Sequence, residues 1–381
     1  MADTNTLRRR EWLISAAVGC AAPALASAAP ELATGSSSVP AVCGTHGQLC
    51  DLFREVAGDG TNTHGVLVRQ GNDVLAEAYY TGSDKPGGAW FARTVRFEAD
   101  TLHDLRSISK SVVGLLVGIA VGRGLLGDTE AALRRSVFEF FPEHAELLTP
   151  ERRAITLRHV LDMSAGWEWD ETTVGYGNPF NSETRMGLSL DPLRHVLSLP
   201  QVASAGRRWE YCGGATLVLA EMLERVGAAP LQVLAQDWLM KPLGIERFEW
   251  RTGITGKALA FSGLRMAPRD LATIGRLLLT QGRHGAQQVL PAEWVRESTS
   301  RRHVAWDGFG YGAQWWQGPF EVGRGSGVPW TSGWGNGGQR VFVLPTLDVV
   351  MVVTAGRYNQ PNNGRPSNAL VRRAIEILKT G

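Results

Sequence analysis

Apolar and β-branched residues fill two short runs, Gly65-Val66-Leu67-Val68-Arg69 and Val74-Leu75-Ala76-Glu77-Ala78-Tyr79-Tyr80, on either side of Gln70-Gly71-Asn72-Asp73. That pattern predicts a β-hairpin. Thr94 to Phe97 predicts a further short extended piece. The period then changes. The Ser107 stretch runs into Val112 to Val121, apolar throughout, which predicts a helix buried between layers, ended by Gly122-Arg123-Gly124-Leu125-Leu126-Gly127. Helices and long loops follow. Val137 to Pro142 reads as a short helix or turn, and Thr156 to Met163 as a capped helix. Asp191 to Leu199 has an N-cap aspartate before Pro192. Ala215 to Val226 and Pro230 to Met240 complete the set. Glu168 to Arg185, polar and rich in glycine, suits a loop over a site.

The last third returns to a mixed pattern. Pro268 to Thr280 reads as an amphipathic helix and Pro291 to Val295 as a short one. Gly310 to Gln317, Gly338 to Leu344 and Val349 to Thr354 read as strands, the last two joined at Pro345-Thr346-Leu347-Asp348. Ser367 to Leu378 closes as a helix. Strands at both ends with helices between them predict an α/β (α+β) fold. An antiparallel sheet is built from N- and C-terminal strands, flanked by helices, with an all-α inserted lobe. The expected boundaries are 61–128 with 261–381 for the sheet domain and 129–260 for the lobe, after a linker and N-terminal extension over 30–60.

Composition changes little in this picture. A hydrophobic content of 44% with 20% charged residues is that of a globular chain. The net charge of +2 is spread among carboxylates without a basic run, which argues against nucleic-acid binding. Among thirteen tryptophans, Trp315, Trp316, Trp330 and Trp334 crowd one region, where they either pack a core or line a pocket. The N-terminus changes more. Arg8-Arg9-Arg10-Glu11-Trp12-Leu13 precedes an alanine-rich run, with Ala24-Leu25-Ala26 or Ala26-Ser27-Ala28 as cleavage site. Residues 1–29 are therefore expected to be a twin-arginine export signal, and the mature protein to be periplasmic or secreted without a membrane span. Lipoprotein processing at Cys20 is the rival, weakened by an alanine three residues before it. Outside the cytoplasm Cys43 and Cys50 either pair or stay free.

Chemistry enters at Ser107-Ile108-Ser109-Lys110. Three positions apart at a helix start, the serine and lysine share one face. A partly desolvated lysine beside a hydroxyl is expected to have a lowered pKa and to take the hydroxyl proton, making Ser107 a nucleophile. Alone, the motif is more often a helix N-terminus with an exposed lysine. A second proton carrier is available in Arg208-Trp209-Glu210-Tyr211-Cys212-Gly213-Gly214, and an oxyanion-binding stretch in Ser332 to Gln339, where glycines let backbone approach a ligand and an edge strand frees an N–H. Read singly, these are a packing tyrosine and a plain turn.

Together, Ser107-x-x-Lys110, the Tyr211 loop and the Asn336-Gly337-Gly338-Gln339 strand start resemble the serine β-lactamase and DD-peptidase superfamily. The likeness is closer to its class C-related branch, with its esterases and 6-aminohexanoate-dimer hydrolases. Leu161-Asp162-Met163-Ser164-Ala165-Gly166 and Gly263 to Leu271 look like that branch too. The resemblance implies Ser107 as nucleophile, Lys110 as its activator and Tyr211 as the relay to the leaving group. It places the oxyanion hole at the N–H groups of Ser107 and of a residue at or beside Gln339, and needs no metal or cofactor.

Two departures shape the expected substrate. The family's Lys-Thr-Gly, whose cation binds a substrate carboxylate, is matched by Asn336-Gly337-Gly338. A literal Lys379-Thr380-Gly381 forms the last three residues with no strand after it, and Arg251-Thr252-Gly253 comes too early. Gly213 stands where β-lactamases of this branch have asparagine. The expectation is therefore an exported serine hydrolase cleaving a small, less anionic ester or amide. A β-lactamase or DD-peptidase is the alternative, and a non-catalytic binding protein of the same fold the second. No Gly-x-Ser-x-Gly or His-Glu-x-x-His occurs.

Overall fold

The computed structural model describes residues 41–43, 46–323 and 327–380. The expected signal at 1–29 and the lipoprotein site at Cys20 lie outside them. The hairpin forms as β2 (Thr63–Gln70) and β3 (Asp73–Tyr79), with β1 (Ala41–Cys43) added at the edge. β4 (Thr81–Asp84) and β5 (Arg93–Arg96) make a separate ribbon. β6 (His103–Asp104) pairs with β8 (Leu264–Met266), which also carries β7 (Phe248–Trp250). β9 (Arg283–His284) and β10 (Gln287–Gln288) form a small surface hairpin.

The C-terminal strands are β11 (His303–Val304), β12 (Gly310–Gly312), β13 (Trp315–Phe320), β14 (Val328–Gly335), β15 (Gln339–Leu344) and β16 (Val349–Ala355). With β1 to β3 they form one antiparallel sheet in the order β1-β3-β2-β16-β15-β14-β13-β12-β11. N- and C-terminal strands thus meet at the β2–β16 pair. Residues of β15 and β16 are buried on both faces, so Val341 to Leu344 and Val349 to Val353 read as continuous apolar runs, as strands covered by helices do.

The first helix, α1 (Gly47–Val56), lies inside the stretch expected to be linker. Its apolar residues Leu49, Leu52, Phe53 and Val56 fall on one face and are buried, a spacing the polar surroundings obscured. Cys50 is buried and disulfide-bonded, whereas the Cys43 side chain lies outside the described residues. The helix expected from Ser107 is α2 (Ile108–Gly122), buried along all but its last residue. Between it and the sheet's later strands come α3 (Thr129–Arg134), α4 (Pro150–Arg153), α5 (Leu157–Leu161), α6 (Ser182–Gly187), α7 (Pro192–Leu197), α8 (Gly213–Gly227) and α9 (Leu231–Ala235). The region expected to be all helical therefore also contributes one strand, β7. α10 (Pro268–Leu279) covers β15 and β16, followed by α11 (Ala292–Thr299) and the closing α12 (Arg365–Thr380).

α2 packs against α8 on one side and β14 on the other. Each apolar side chain it fully buries there contributes roughly 1.5–3 kcal/mol, which fixes the helix and the turn before it as a rigid platform. Two strand expectations need correction. Gly310 to Gln317 is not one strand, because Ala313 and Gln314 both take positive φ and turn the chain between β12 and β13. The Ser332 to Gln339 stretch is only partly a turn: Ser332 to Gly335 are the second half of β14, and 336–338 turn into β15.

Candidate active site

Ser107 caps the N-terminus of α2, held there by a turn that the sequence did not announce. Arg106 adopts a left-handed φ of 52°, uncommon for a non-glycine residue. The buried Asp104 carboxylate holds it: Oδ1 accepts the Arg106 N–H at 3.1 Å, while Oδ2 accepts the Gly87 N–H at 2.7 Å and lies 3.3 Å from the Arg106 Nε. Among the described residues, the Ser107 N–H makes no hydrogen bond. It is one of the unpaired donors of a helix's first turn.

One turn on, Lys110 is buried, with 1% of its surface exposed. Its ammonium donates to the Ser107 hydroxyl at 3.1 Å and to the Phe261 carbonyl at 3.0 Å. It sits 4.9 Å from the Tyr211 ring centre. Two carboxylates complete its surroundings, Glu183 at 3.6 Å and Glu171 at 3.9 Å. The structure thus brings Ser107, Lys110 and Tyr211 together and adds an acidic pair, the buried Glu171 and the partly buried Glu183. Glu171 and Glu183 both come from the 168–185 stretch read as a loop over a site, part of which is α6. Nothing in the sequence singled them out, since their role depends on which of the loop's carboxylates fold inward.

The acidic pair explains Gly213. Its N–H donates to Glu171 at 2.6 Å, and a Cβ added there would stand 2.7 Å from a Glu183 oxygen and 3.1 Å from a Glu171 oxygen. The place of a side chain at 213 is occupied by carboxylates. Glu171 is held further by the Trp169 indole N–H at 2.8 Å.

These charges reverse the expectation for Lys110. Burial pushes its pKa down, but Tyr211, Glu171 and Glu183 outweigh burial and the pKa is raised. Burial, and then the Glu171 charge, push the Glu183 carboxyl up to about 8. Burial also raises Glu171 and Tyr211, against the pull of Lys110. A cation between two carboxylates is stabilised more than burial alone destabilises it. The neighbouring Cys212 is free and buried, and burial pushes its thiol up, so it is no competing nucleophile.

The Asn336 to Gln339 segment is arranged differently from expectation. β15 is an interior strand, so no edge is available there. Asn336, Gly337 and Gly338 form the turn between β14 and β15. Gly337 and Gly338 have φ of 97° and 98°, and a Cβ on Gly337 would meet the Tyr358 ring at 2.5 Å. The Asn336 side chain is tied to Asn359, and the Gln339 amide bridges to Ala355 on β16, accepting its N–H at 3.0 Å. The part of this region against the nucleophile turn is the end of β14, where a Cβ on Gly335 would collide with the Leu105 carbonyl. Lys379 and Thr380 are helical residues of α12.

Beside Tyr211 stands an aromatic wall. Trp316 and Trp334 stack with centres 4.5 Å apart, Trp306 lies 5.3 Å from Tyr211, and Trp209 packs on Trp306. Trp316 and Trp334 belong to it as their crowding suggested, and Trp330 packs behind Trp334. Trp315, one position along β13, faces the other side of the sheet. A buried Arg340 guanidinium lies over Trp334, and its donors serve the Gly335 and Gln339 carbonyls and Asn368.

Comparison with known proteins bears on the family and the fold. The Beta-lactamase family profile matches residues 52–375. A 6-aminohexanoate-dimer hydrolase of Paenarthrobacter ureafaciens is 28% identical over 311 residues, covering 77% of this chain and 72% of that protein. Among solved structures, a family VIII carboxylesterase superposes with a TM-score of 0.66 at 14% identity, covering 87% of this chain and 96% of the other. A class C β-lactamase from Rhodobacter sphaeroides gives 0.63 at 17% identity, covering 87% and 98%. The chain belongs to the β-lactamase family, and is a serine hydrolase of that family.

Proposed function

We propose that the protein cleaves a small ester or amide through an acyl-enzyme on Ser107, and that Glu183 sets the protonation state of Lys110. The carrying observation is the Lys110 ammonium held between the Ser107 hydroxyl and the Glu183 carboxylate. An ammonium that donates to Oγ cannot accept its proton. Transfer of one proton from Lys110 to Glu183 turns a buried ion pair into two neutral groups, and the free amine then takes the Ser107 proton as Oγ attacks the carbonyl. The oxyanion is bound by the Ser107 N–H and by a backbone N–H at the end of β14 beside Asn336. Tyr211 passes a proton to the leaving alcohol or amine, and water later releases the acid.

The substrate is a neutral or amine-bearing acyl compound. The Glu171 and Glu183 carboxyls fill the space beside Gly213, and Arg340 is committed to backbone carbonyls, so neither place supplies the cation that a β-lactam carboxylate needs. The aromatic wall suits an alkyl or acyl chain. The relative named for 6-aminohexanoate dimers makes short ω-amino amides one class to assay. The twin-arginine run supports export to the periplasm or beyond, checked by the N-terminal mass of protein from its native host.

The decisive test compares p-nitrophenyl butyrate, a nylon-type dimer and nitrocefin, with fluorophosphonate labelling of wild type and Ser107→Ala. Ester or dimer turnover lost with Ser107→Ala supports the proposal. Undiminished labelling of the variant refutes the nucleophile, and nitrocefin as the best substrate refutes the substrate class.

A further inference from the structure

Behind the nucleophile turn, three strands bring together two histidines and an aspartate that the hydrolytic site does not use. His64 is on β2, Asp84 on β4 and His103 on β6, and one ligand atom from each lies within 4.8 Å of the others. Both histidines are buried. The His64 ring stacks on Phe97 with centres 4.0 Å apart.

Hydrogen-bond bookkeeping leaves this cluster incomplete. The His64 Nε2 faces the Ser83 carbonyl at 3.1 Å and the Asn62 amide oxygen at 3.3 Å. That Asn62 oxygen already accepts the Ser83 N–H at 2.9 Å, which fixes it as an acceptor. A ring nitrogen facing two acceptors carries the hydrogen, so Nε2 is the N–H of His64 and Nδ1 holds a lone pair. On His103, Nδ1 faces the Asp104 carbonyl at 3.1 Å, so it donates and Nε2 holds the lone pair. The two bare nitrogens, His64 Nδ1 and His103 Nε2, then point at each other across 2.8 Å. Two lone pairs repel at that distance unless a positive centre lies between them.

We propose that His64 Nδ1, His103 Nε2 and the Asp84 carboxylate bind one divalent transition-metal ion of the zinc class. Ring N–H groups donating to backbone carbonyls are the usual way ligating histidines are oriented. Two imidazoles with one carboxylate favour zinc, cobalt or nickel over magnesium or calcium. Tyr358 donates to Asp84 Oδ1 at 3.0 Å and so orients the carboxylate. Tetrahedral zinc with bonds of about 2.0–2.1 Å holds its nitrogens roughly 3.3 Å apart. The rings must therefore open by about half an ångström on loading. The ion's place is structural. It ties β2, β4 and β6 together one residue before Asp104, the carboxylate that holds the Arg106 turn, and Tyr358 connects the same cluster to Arg106, whose guanidinium lies 4.4 Å over its ring.

The test uses untagged full-length protein, stripped with a chelator and given Zn²⁺ or Co²⁺ alone. Expected are about one bound equivalent by elemental analysis, visible d–d bands from four- or five-coordinate Co²⁺, and a melting temperature raised by roughly 5 °C at saturating metal. His103→Gln should remove the bands and the shift. Asp84→Asn, which keeps the volume and guards against a variant that fails to fold, should weaken binding at least tenfold. Two results overturn the proposal. In one, neither spectrum nor melting temperature responds to metal, and the imidazoles share a proton. In the other, both variants still bind one equivalent, and the ion lies elsewhere.

Discussion

The buried Lys110 ammonium stands 3.6 Å from a carboxylate oxygen of the partly buried Glu183. A lysine free of such partners would be pushed toward the neutral amine by burial alone. Here the neutral amine must be made by handing a proton to a neighbour. The consequences are measurable.

Activity and stability should respond to pH in opposite senses over the same range. Glu183 must be ionised to accept from Lys110, so kcat/KM for a neutral ester is expected to rise with pH through about 8. The same carboxyl has a folded pKa above its ordinary value of 4.5, so the protonated form favours the fold. Its contribution is fully present below about 4.5 and is lost as pH rises through about 8. Buried Asp162, pushed up to about 6 by burial, adds an earlier loss of the same sign. Glu183→Gln should flatten the upper part of the melting-temperature profile and lower kcat/KM by roughly 10²-fold. A variant with wild-type activity and an unchanged pH profile would remove Glu183 from the chemistry.

Replacing either half of the Ser-Lys pair should be far more costly. Ser107→Ala and Lys110→Ala are each expected to lower kcat by roughly 10³-fold or more, with little further loss in the double variant, because the two act as a unit. Lys110→Arg keeps the charge but cannot become a neutral base near neutrality, so it should fail as well. Single-turnover acylation with a p-nitrophenyl ester measures each.

Gly213→Asn tests the space taken by the acidic pair. The new side chain meets both carboxylates, and overpacking of this kind costs typically 1–3 kcal/mol. Denaturant melts should show that loss together with a fall in ester turnover. If turnover falls but nitrocefin hydrolysis appears, the glycine is a specificity switch as well as a packing requirement.

Trp306, 42% exposed at the rim of the aromatic wall, should discriminate chain length. Trp306→Ala is expected to raise KM for hexanoyl over acetyl esters by about tenfold, which is roughly 1.4 kcal/mol. Equal effects on both esters would take the wall out of acyl recognition.

Asp104→Asn probes the turn before the nucleophile. Removing a buried charge that holds the Arg106 N–H, the Gly87 N–H and the Arg106 guanidinium should cost about 3 kcal/mol of stability. It should also lower kcat more than it raises KM, because it is Ser107 that loses its position.

The large features of the fold are encoded locally in the chain. The buried helix and the flanking hairpins were legible because hydrophobic period is a local property of the chain, whereas Ser107, Lys110 and Tyr211 stood out only when their motifs were read together as a family resemblance. What the tertiary structure decided is what lies opposite them. β14 was not predicted as a strand because its glycines and tryptophans carry no simple period. The identity of the strand beside Ser107 depended on sheet order, which no local pattern encodes. Glu171 and Glu183 were two carboxylates in a polar loop until folding placed both against Lys110 and into the space beside Gly213. The sign of the lysine's pKa shift changed with them, because a pKa is set by the charges within a few ångströms and sequence separation says nothing about those distances.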